Sequence, residues 1–120
     1  MRATLIILVF CLAGCASQSH IATLSESRYH ELLMAANGFD GNVGTLPEPI
    51  LRLNPIEVYH DYGNLVIVLY RNSHEDRGYY FYPFSSSESP VGKGKEWSFK
   101  LIKRAASTDP GALYEYRRKL

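Results

Sequence analysis

Residues 65–70 read Leu-Val-Ile-Val-Leu-Tyr, an unbroken apolar run rich in β-branched side chains. Such a run predicts a β-strand buried on both faces, because a strand with one face in water alternates apolar and polar residues. The preceding residues 61–64, Asp-Tyr-Gly-Asn, are typical of a tight turn. Both faces of this strand must therefore be packed against other apolar groups, and the neighbouring segments are the first candidates to supply them.

Other segments predict the neighbouring strands. Residues 56–60 alternate apolar and polar side chains, and residues 78–82 are glycine followed by four aromatic residues, with a proline that ends the strand. Residues 96–103 alternate again, with Trp, Phe and Leu on one face. Residues 112–118 fit either a strand or a helix. We favour the strand, because two tyrosines there recur at period two.

One helix is predicted over residues 24–36. A capping box at residues 23–26 marks its start, and Asn-Gly at 37–38 supplies a left-handed stop. Its apolar face consists of Tyr29, Leu32, Leu33 and Ala36. The Gly- and Pro-rich residues 37–55 predict a connection without regular elements.

These elements predict an α+β fold, with one N-terminal helix packed on a four- to five-stranded antiparallel sheet. The helix covers one face of strand 65–70. The other face requires the aromatic loop 81–97, the C-terminal segment or another protein.

The pattern of residues 1–14 predicts an export signal. Arg2 precedes an apolar stretch, residues 5–12, which is shorter than the roughly 20 residues that span a bilayer. The tetrad Leu12-Ala13-Gly14-Cys15 resembles the lipobox of bacterial lipoproteins. The resemblance implies cleavage before Cys15, acylation of its sulfur and its new amino group, and stable anchoring by two or more acyl chains. The alternative is an ordinary secretory peptide that happens to contain a cysteine.

The same resemblance indicates a location. Ala16 and Ser17 lack the aspartate that usually retains such lipoproteins in the inner membrane, so an outer-membrane anchor facing the periplasm is expected. In an organism with one membrane, the anchor would lie in the outer face of that membrane. Residues 15–23 are then a lipidated tether, and residues 24–120 one small domain. Cys11 lies in the removed segment, so the domain has no thiol for a disulfide or for catalysis.

Charge argues against a nucleic-acid partner. The 120 residues carry a formal net charge of +1, without the strongly basic balance of nucleic-acid-binding domains. The charges are nevertheless unevenly distributed. Residues 15–90 hold 4 Lys/Arg and 9 Asp/Glu, whereas residues 91–120 hold 8 Lys/Arg and 3 Asp/Glu. We expect the two segments to neutralise each other within the fold; the alternative is a dipolar surface for a partner or for an anionic membrane.

The aromatic cluster is the most unusual local composition. Tyr79, Tyr80, Tyr82 and Phe84 are the candidate binding surface, because tyrosine buries a large area at low entropic cost and is enriched at interfaces. The competing interpretation is cross-strand packing that takes the place of disulfides.

Catalytic and metal-binding signals are weak. His60, Asp61, His74, Glu75 and Asp76 would form a metal site only if separate loops met, and residues 72–77 are expected to form a solvated hairpin loop. Residues 92–95, Gly-Lys-Gly-Lys, fail the phosphate-loop spacing and predict a flexible basic surface loop. Serines 85–87 lack a nucleophile elbow. No cofactor is expected.

The leading hypothesis is therefore a non-enzymatic, lipid-anchored protein-binding module, such as an inhibitor, an immunity protein or an accessory of an envelope machine. The comparison rests on size and anchor alone. A structural subunit of an envelope assembly is the alternative, and a small envelope hydrolase is a third.

Overall fold

Five antiparallel strands form a single sheet in the computed structural model, which describes residues 23–86 and 89–120. The sheet order is β1-β2-β3-β5-β4, so β1 and β4 are its edges. The strands are β1 (Glu57–Asp61), β2 (Asn64–Arg71), β3 (Glu75–Pro83), β4 (Trp97–Leu101) and β5 (Gly111–Lys119). The signal peptide, Cys15 and most of the tether predicted above lie outside the described residues.

Helix α1 (Glu26–Gly38) packs against β3 and β5. It begins two residues later than predicted, because the Ser25 hydroxyl accepts from the Arg28 amide at 3.2 Å and so caps the first turn. The predicted apolar face is confirmed, since all four of its residues are buried. One main helix on a five-stranded antiparallel sheet is an α+β fold, as the sequence predicted.

The connection between α1 and β1 is more regular than predicted. It contains a 3₁₀ turn (Val43–Thr45) and a short helix, α2 (Glu48–Leu51). The expectation of no regular element before residue 56 was therefore wrong. Prolines favour the first turn of a helix, and here Pro47 holds the N-cap position and Pro49 lies in the first turn of α2, while Ile50 is buried in the core.

The C-terminal segment is a strand, as favoured, and pairs with β3 on one side and β4 on the other. Strand β3 begins three residues earlier than predicted. Glu75, Asp76 and Arg77 therefore belong to the sheet, and the prediction that they form a solvated loop was wrong. Cross-strand pairing with both β2 and β5 accounts for the extension.

The two faces of the sheet carry separate clusters. The first face packs on α1 and includes Leu65 and Ile67 of β2. The opposite side, called the second face here, holds Val66 and Val68. Aromatic residues of the neighbouring strands cover these valines: Tyr59, Tyr80, Trp97, Phe99, Tyr114 and Tyr116. The second face of β2 is therefore covered by aromatic side chains of the chain's own β1, β3, β4 and β5.

Ion pairs join the acidic and basic segments. Lys103 lies 3.2 Å from Glu26, Arg117 lies 3.3 Å from Glu75, and Lys93 pairs with Asp61. These contacts support the expectation that the two segments neutralise each other within the fold.

Candidate functional site

The predicted binding surface is divided by the fold. Tyr79 is buried in the helix-facing core, and Tyr80 is fully buried on the second face. Burial raises the pKa of the Tyr79 hydroxyl to about 12, and also raises that of Tyr80. Their assignment to a surface was wrong, because β3 is an interior strand covered on both sides. Tyr82 is half-buried, and Phe84 is 51% exposed.

A larger aromatic surface lies on the second face, and the sequence analysis missed it. The Trp97 and Phe99 rings stack with centroids 5.7 Å apart, and Phe99 meets Tyr114 edge-on at 5.8 Å. Leu101, which pairs with Tyr114 across the strands, is 43% exposed. We call the following residues the aromatic surface: Tyr82, Phe84, Trp97, Phe99, Leu101 and Tyr114.

Strand β5 lies between the two halves of the aromatic surface. Phe84 meets Tyr82 edge-on at 6.0 Å on the β3 side, and Tyr114 of β5 meets Phe99 on the β4 side. Burial raises the pKa of the Tyr114 hydroxyl, and Tyr82 adds to the effect. A cleft of about 310 Å³ opens at the β4 end. It is lined by Pro90, Lys93, Trp97, Ser98, Phe99 and Tyr114. Since β4 is an edge strand, this end of the surface is accessible from the side of the sheet.

Lys93 lies against an aromatic cage at the edge of this surface. Its Nζ lies 4.9 Å from the ring centre of Trp97, 5.7 Å from that of Tyr62 and 5.9 Å from that of Tyr80. It also pairs with Asp61 Oδ2, and its side chain is 12% exposed. The prediction of a flexible basic surface loop was wrong for this lysine, since its aromatic and carboxylate partners keep most of the side chain out of contact with water.

The Asp61 carboxylate of the cage is oriented by buried hydrogen-bond partners. Tyr80 donates its hydroxyl to Asp61 Oδ2 at 3.0 Å and accepts from Asn64 Nδ2 at 2.9 Å. Asn64 and Tyr80 are fully buried, so this chain of hydrogen bonds fixes Asp61 in the direction of Lys93.

A buried ionic centre supports the other end of the second face. Asp76 is fully buried, and its Oδ2 lies 3.2 Å from Arg71 Nη2 and 3.1 Å from Arg118 Nη2. Its Oδ1 and the hydroxyls of Tyr59 and Tyr116 are buried without a hydrogen-bond partner among the described residues. Burial raises the pKa of both tyrosines, and the Asp76 charge adds to the effect.

The remaining candidate metal ligands are not brought together. His60 stacks on Phe39 with ring centres 5.9 Å apart, near the start of β2, whereas His74 lies in the turn beyond its end. Asp61 binds Lys93, and Glu75 pairs with two arginines. Within residues 23–86 and 89–120, no group of three or more His, Cys, Asp or Glu side chains could hold a metal ion.

The candidate site therefore combines the aromatic surface, in which Phe84 and Leu101 are exposed and the other four side chains are half-buried, with an adjoining cleft and one caged cation. No protein-family model, curated protein or solved structure matches this chain.

Proposed function

We propose that this protein is a non-enzymatic, lipid-anchored binding module that contacts a protein partner through the aromatic surface. The observation that carries the proposal is the cluster of solvent-accessible aromatic side chains on the second face, which α1 leaves uncovered. Tyrosine, tryptophan and phenylalanine are enriched in protein interfaces, where a few well-packed aromatic residues supply most of the binding energy.

The anchor is the second part of the proposal. The lipobox-like tetrad that ends at Cys15 supports acylation of that cysteine, and the neutral residues after it support an outer-membrane anchor facing the periplasm. No helix among the described residues is long and apolar enough to cross a membrane.

The anchor predicts the behaviour of Cys15→Ser. Without acyl chains the full-length protein should move from the membrane fraction to the soluble fraction or stay uncleaved, because each buried CH₂ group contributes about 0.8 kcal/mol to membrane binding. Fractionation and intact mass spectrometry measure this. Cys11→Ser is the control and should remain acylated. An unmodified sulfur at Cys15 in the wild-type protein would refute the anchor.

The aromatic surface predicts the effect of charge on its exposed members. Phe84→Glu and Leu101→Glu should each weaken partner binding, by roughly 30-fold if they lie at a hot spot worth about 2 kcal/mol. Both side chains are exposed, so the fold should survive. Crosslinking in intact envelopes, followed by purification of the full-length protein, measures the binding.

Met34→Glu and Leu51→Glu are matched controls, since both are exposed apolar residues on the helices rather than on the aromatic surface. They should leave crosslinking unchanged. If all four variants behave alike, the aromatic surface is not the interface. One stoichiometric partner supports a binding module, whereas many envelope proteins would support the alternative of a structural subunit.

A further inference from the structure

The contacts of Lys93 go beyond those of a surface lysine. Three aromatic rings lie within 6 Å of its ammonium group, and one carboxylate oxygen pairs with it. Aromatic faces carry negative electrostatic potential, so a ring cage with a nearby carboxylate is a site at which proteins bind ammonium groups. Here the occupant belongs to the chain itself.

The walls of this cage belong to parts of the chain other than the segment that carries the occupant. Tyr80 lies in β3 and Trp97 in β4, while Asp61 is oriented by the Tyr80 hydroxyl at 3.0 Å. Tyr62 lies in the β1–β2 turn and is 76% exposed, so one wall opens to solvent. The sheet therefore holds the site in place, and the lysine enters it from a separate segment.

Lys93 is joined to the cage by a flexible side chain. The amides of Gly92 and Lys93 donate to Ser89 and Pro90 within their own turn, at 3.2 Å each. Rotation about the four side-chain bonds of the lysine would withdraw its ammonium without disturbing these hydrogen bonds or the strands. Lys93 and Trp97 also line the 310 Å³ cleft, so withdrawal would connect the cage to the aromatic surface.

We propose that Asp61, Tyr62, Tyr80 and Trp97 form a binding site for an alkylammonium group, that Lys93 fills it in the free protein, and that a lysine of the protein partner replaces Lys93. The replacement rests on the proposed binding function, but the ammonium site does not. Exchange of one alkylammonium for another keeps the ion pair and the ring contacts, so the cation selected is a primary amine on an unbranched chain. Contacts with the adjoining aromatic surface would favour the partner over the internal lysine.

The site is tested with n-butylammonium chloride, which reproduces the lysine side chain. Trp97 is the single tryptophan of the chain, so its fluorescence reports directly on the cage. Lys93→Ala should bind n-butylammonium with a change in Trp97 emission and a rise in Tm. The wild-type protein should bind at least about tenfold more weakly, because a site that is open in a small fraction of molecules loses apparent affinity by that fraction.

Three comparisons keep the test specific. Sodium chloride at equal ionic strength controls for salt, and Lys95→Ala, two residues from the cage lysine, should behave like the wild type. Lys93→Met keeps the aliphatic stem if the alanine variant fails to fold. Folded Lys93→Ala or Lys93→Met that shows no response beyond sodium chloride would overturn the site, as would an equal response from Lys95→Ala.

The partner's lysine is tested in the envelope crosslinking experiment. Lys93→Ala should increase the yield of the crosslinked partner, because both the stem and the ammonium of the internal competitor are gone, and Asp61→Asn combined with Lys93→Ala should cancel the increase. An unchanged or lower yield with folded Lys93→Ala would refute the exchange. Butylammonium binding without any crosslinked partner would refute the proposed function and leave the ammonium site standing, so the two failures are distinguishable.

Discussion

Asp76→Asn is expected to lower the free energy of unfolding by about 1.5–3 kcal/mol, the range for a hydrogen bond to a charged group, because the partner guanidinium groups keep partial access to water, with side chains 35% and 29% exposed. Asp76 is fully buried and lies between Arg71 and Arg118. An uncharged amide of nearly the same shape would leave two guanidinium groups without their shared counter-charge. Urea unfolding of the full-length protein, followed by circular dichroism at neutral pH, measures the loss.

Glu57→Gln is the matched control. Glu57 pairs with the same Arg71 at 2.8 Å, but its side chain is 47% exposed. An exposed ion pair contributes about 0–1 kcal/mol, so this variant should stay close to the wild type. Equal losses in the two variants would mean that burial does not set the strength of the Asp76 contacts, and a loss below 1 kcal/mol at Asp76 would contradict the prediction.

The ionic centre is coupled to the aromatic surface through Arg118. The Arg118 guanidinium carbon lies 5.3 Å from the centre of the Trp97 ring, and the two residues are cross-strand partners. Trp97 in turn stacks on Phe99 and contacts Lys93. Asp76 thus holds Arg118 against the Trp97 indole, and Asp61 holds Lys93 against the same ring. Contact residues held by such supports lose little conformational entropy on binding, which favours affinity.

Much of the fold was predictable because its signals are local. The continuous apolar run of β2, the alternation in β4 and the period-two tyrosines of β5 each report burial along a single strand, and the structure confirms all three as strands. The apolar face of α1 is equally local. The starts of α1 and β3 were less predictable. Ser25 rather than Thr23 caps the helix, and residues 75–77 look like a polar turn until β2 and β5 pair with them.

The sequence indicated that the candidate site is aromatic, but it did not indicate which aromatic residues reach the surface. The aromatic cluster at residues 79–84 is conspicuous in the sequence, but its central position in the sheet buries Tyr79 and Tyr80. Strand order decides this result, and no local pattern encodes strand order. The residues of β4 and β5 that form most of the surface had been recognised only as strand formers. The order β3-β5-β4 places β5 beside β3 and β4 beside β5, which brings residue 97 beside residue 118.

The cage and the ionic centre required pairs that are distant along the chain. Lys93 and Asp61 are 32 residues apart, and Arg118 and Asp76 are 42 apart. From the local sequence alone, Lys93 was predicted to lie in a flexible loop and Asp76 in a solvated hairpin loop. Lys93 meets Asp61, and Asp76 meets Arg118, only when the sheet closes these long loops.

Gly78→Ala is expected to destabilise the protein by about 3 kcal/mol, at the upper end of the cost of overpacking. A Cβ at this position would overlap the carbonyl oxygen of Ile67 and crowd the amide of Leu69. Both are backbone groups in the adjacent strand, so no side-chain rotation can relieve the overlap. Thermal and urea unfolding should both show the loss.

Gly38→Ala is the control for this substitution. A Cβ on Gly38 meets nothing within 4 Å, and the residue is helical, so alanine should be neutral or stabilising by up to about 1 kcal/mol. A similar loss at both glycines would show that the effect comes from the substitution rather than from the overlap.

The reason for a glycine at position 78 is the β-bulge opposite it. The pairing of β2 with β3 shifts between Val68 and Tyr70, immediately after the pair Val68–Gly78. If the pairing continued past Val68–Gly78 without this shift, Arg71 would lie opposite Glu75, on the face that packs on α1. The shift places it opposite Asp76 instead, on the second face. Gly78→Ala should therefore also disrupt the Arg71–Asp76 pair, so that combining it with Asp76→Asn costs less than the sum of the two single losses. Additive losses in that double-mutant cycle would contradict the link between the bulge and the ionic centre.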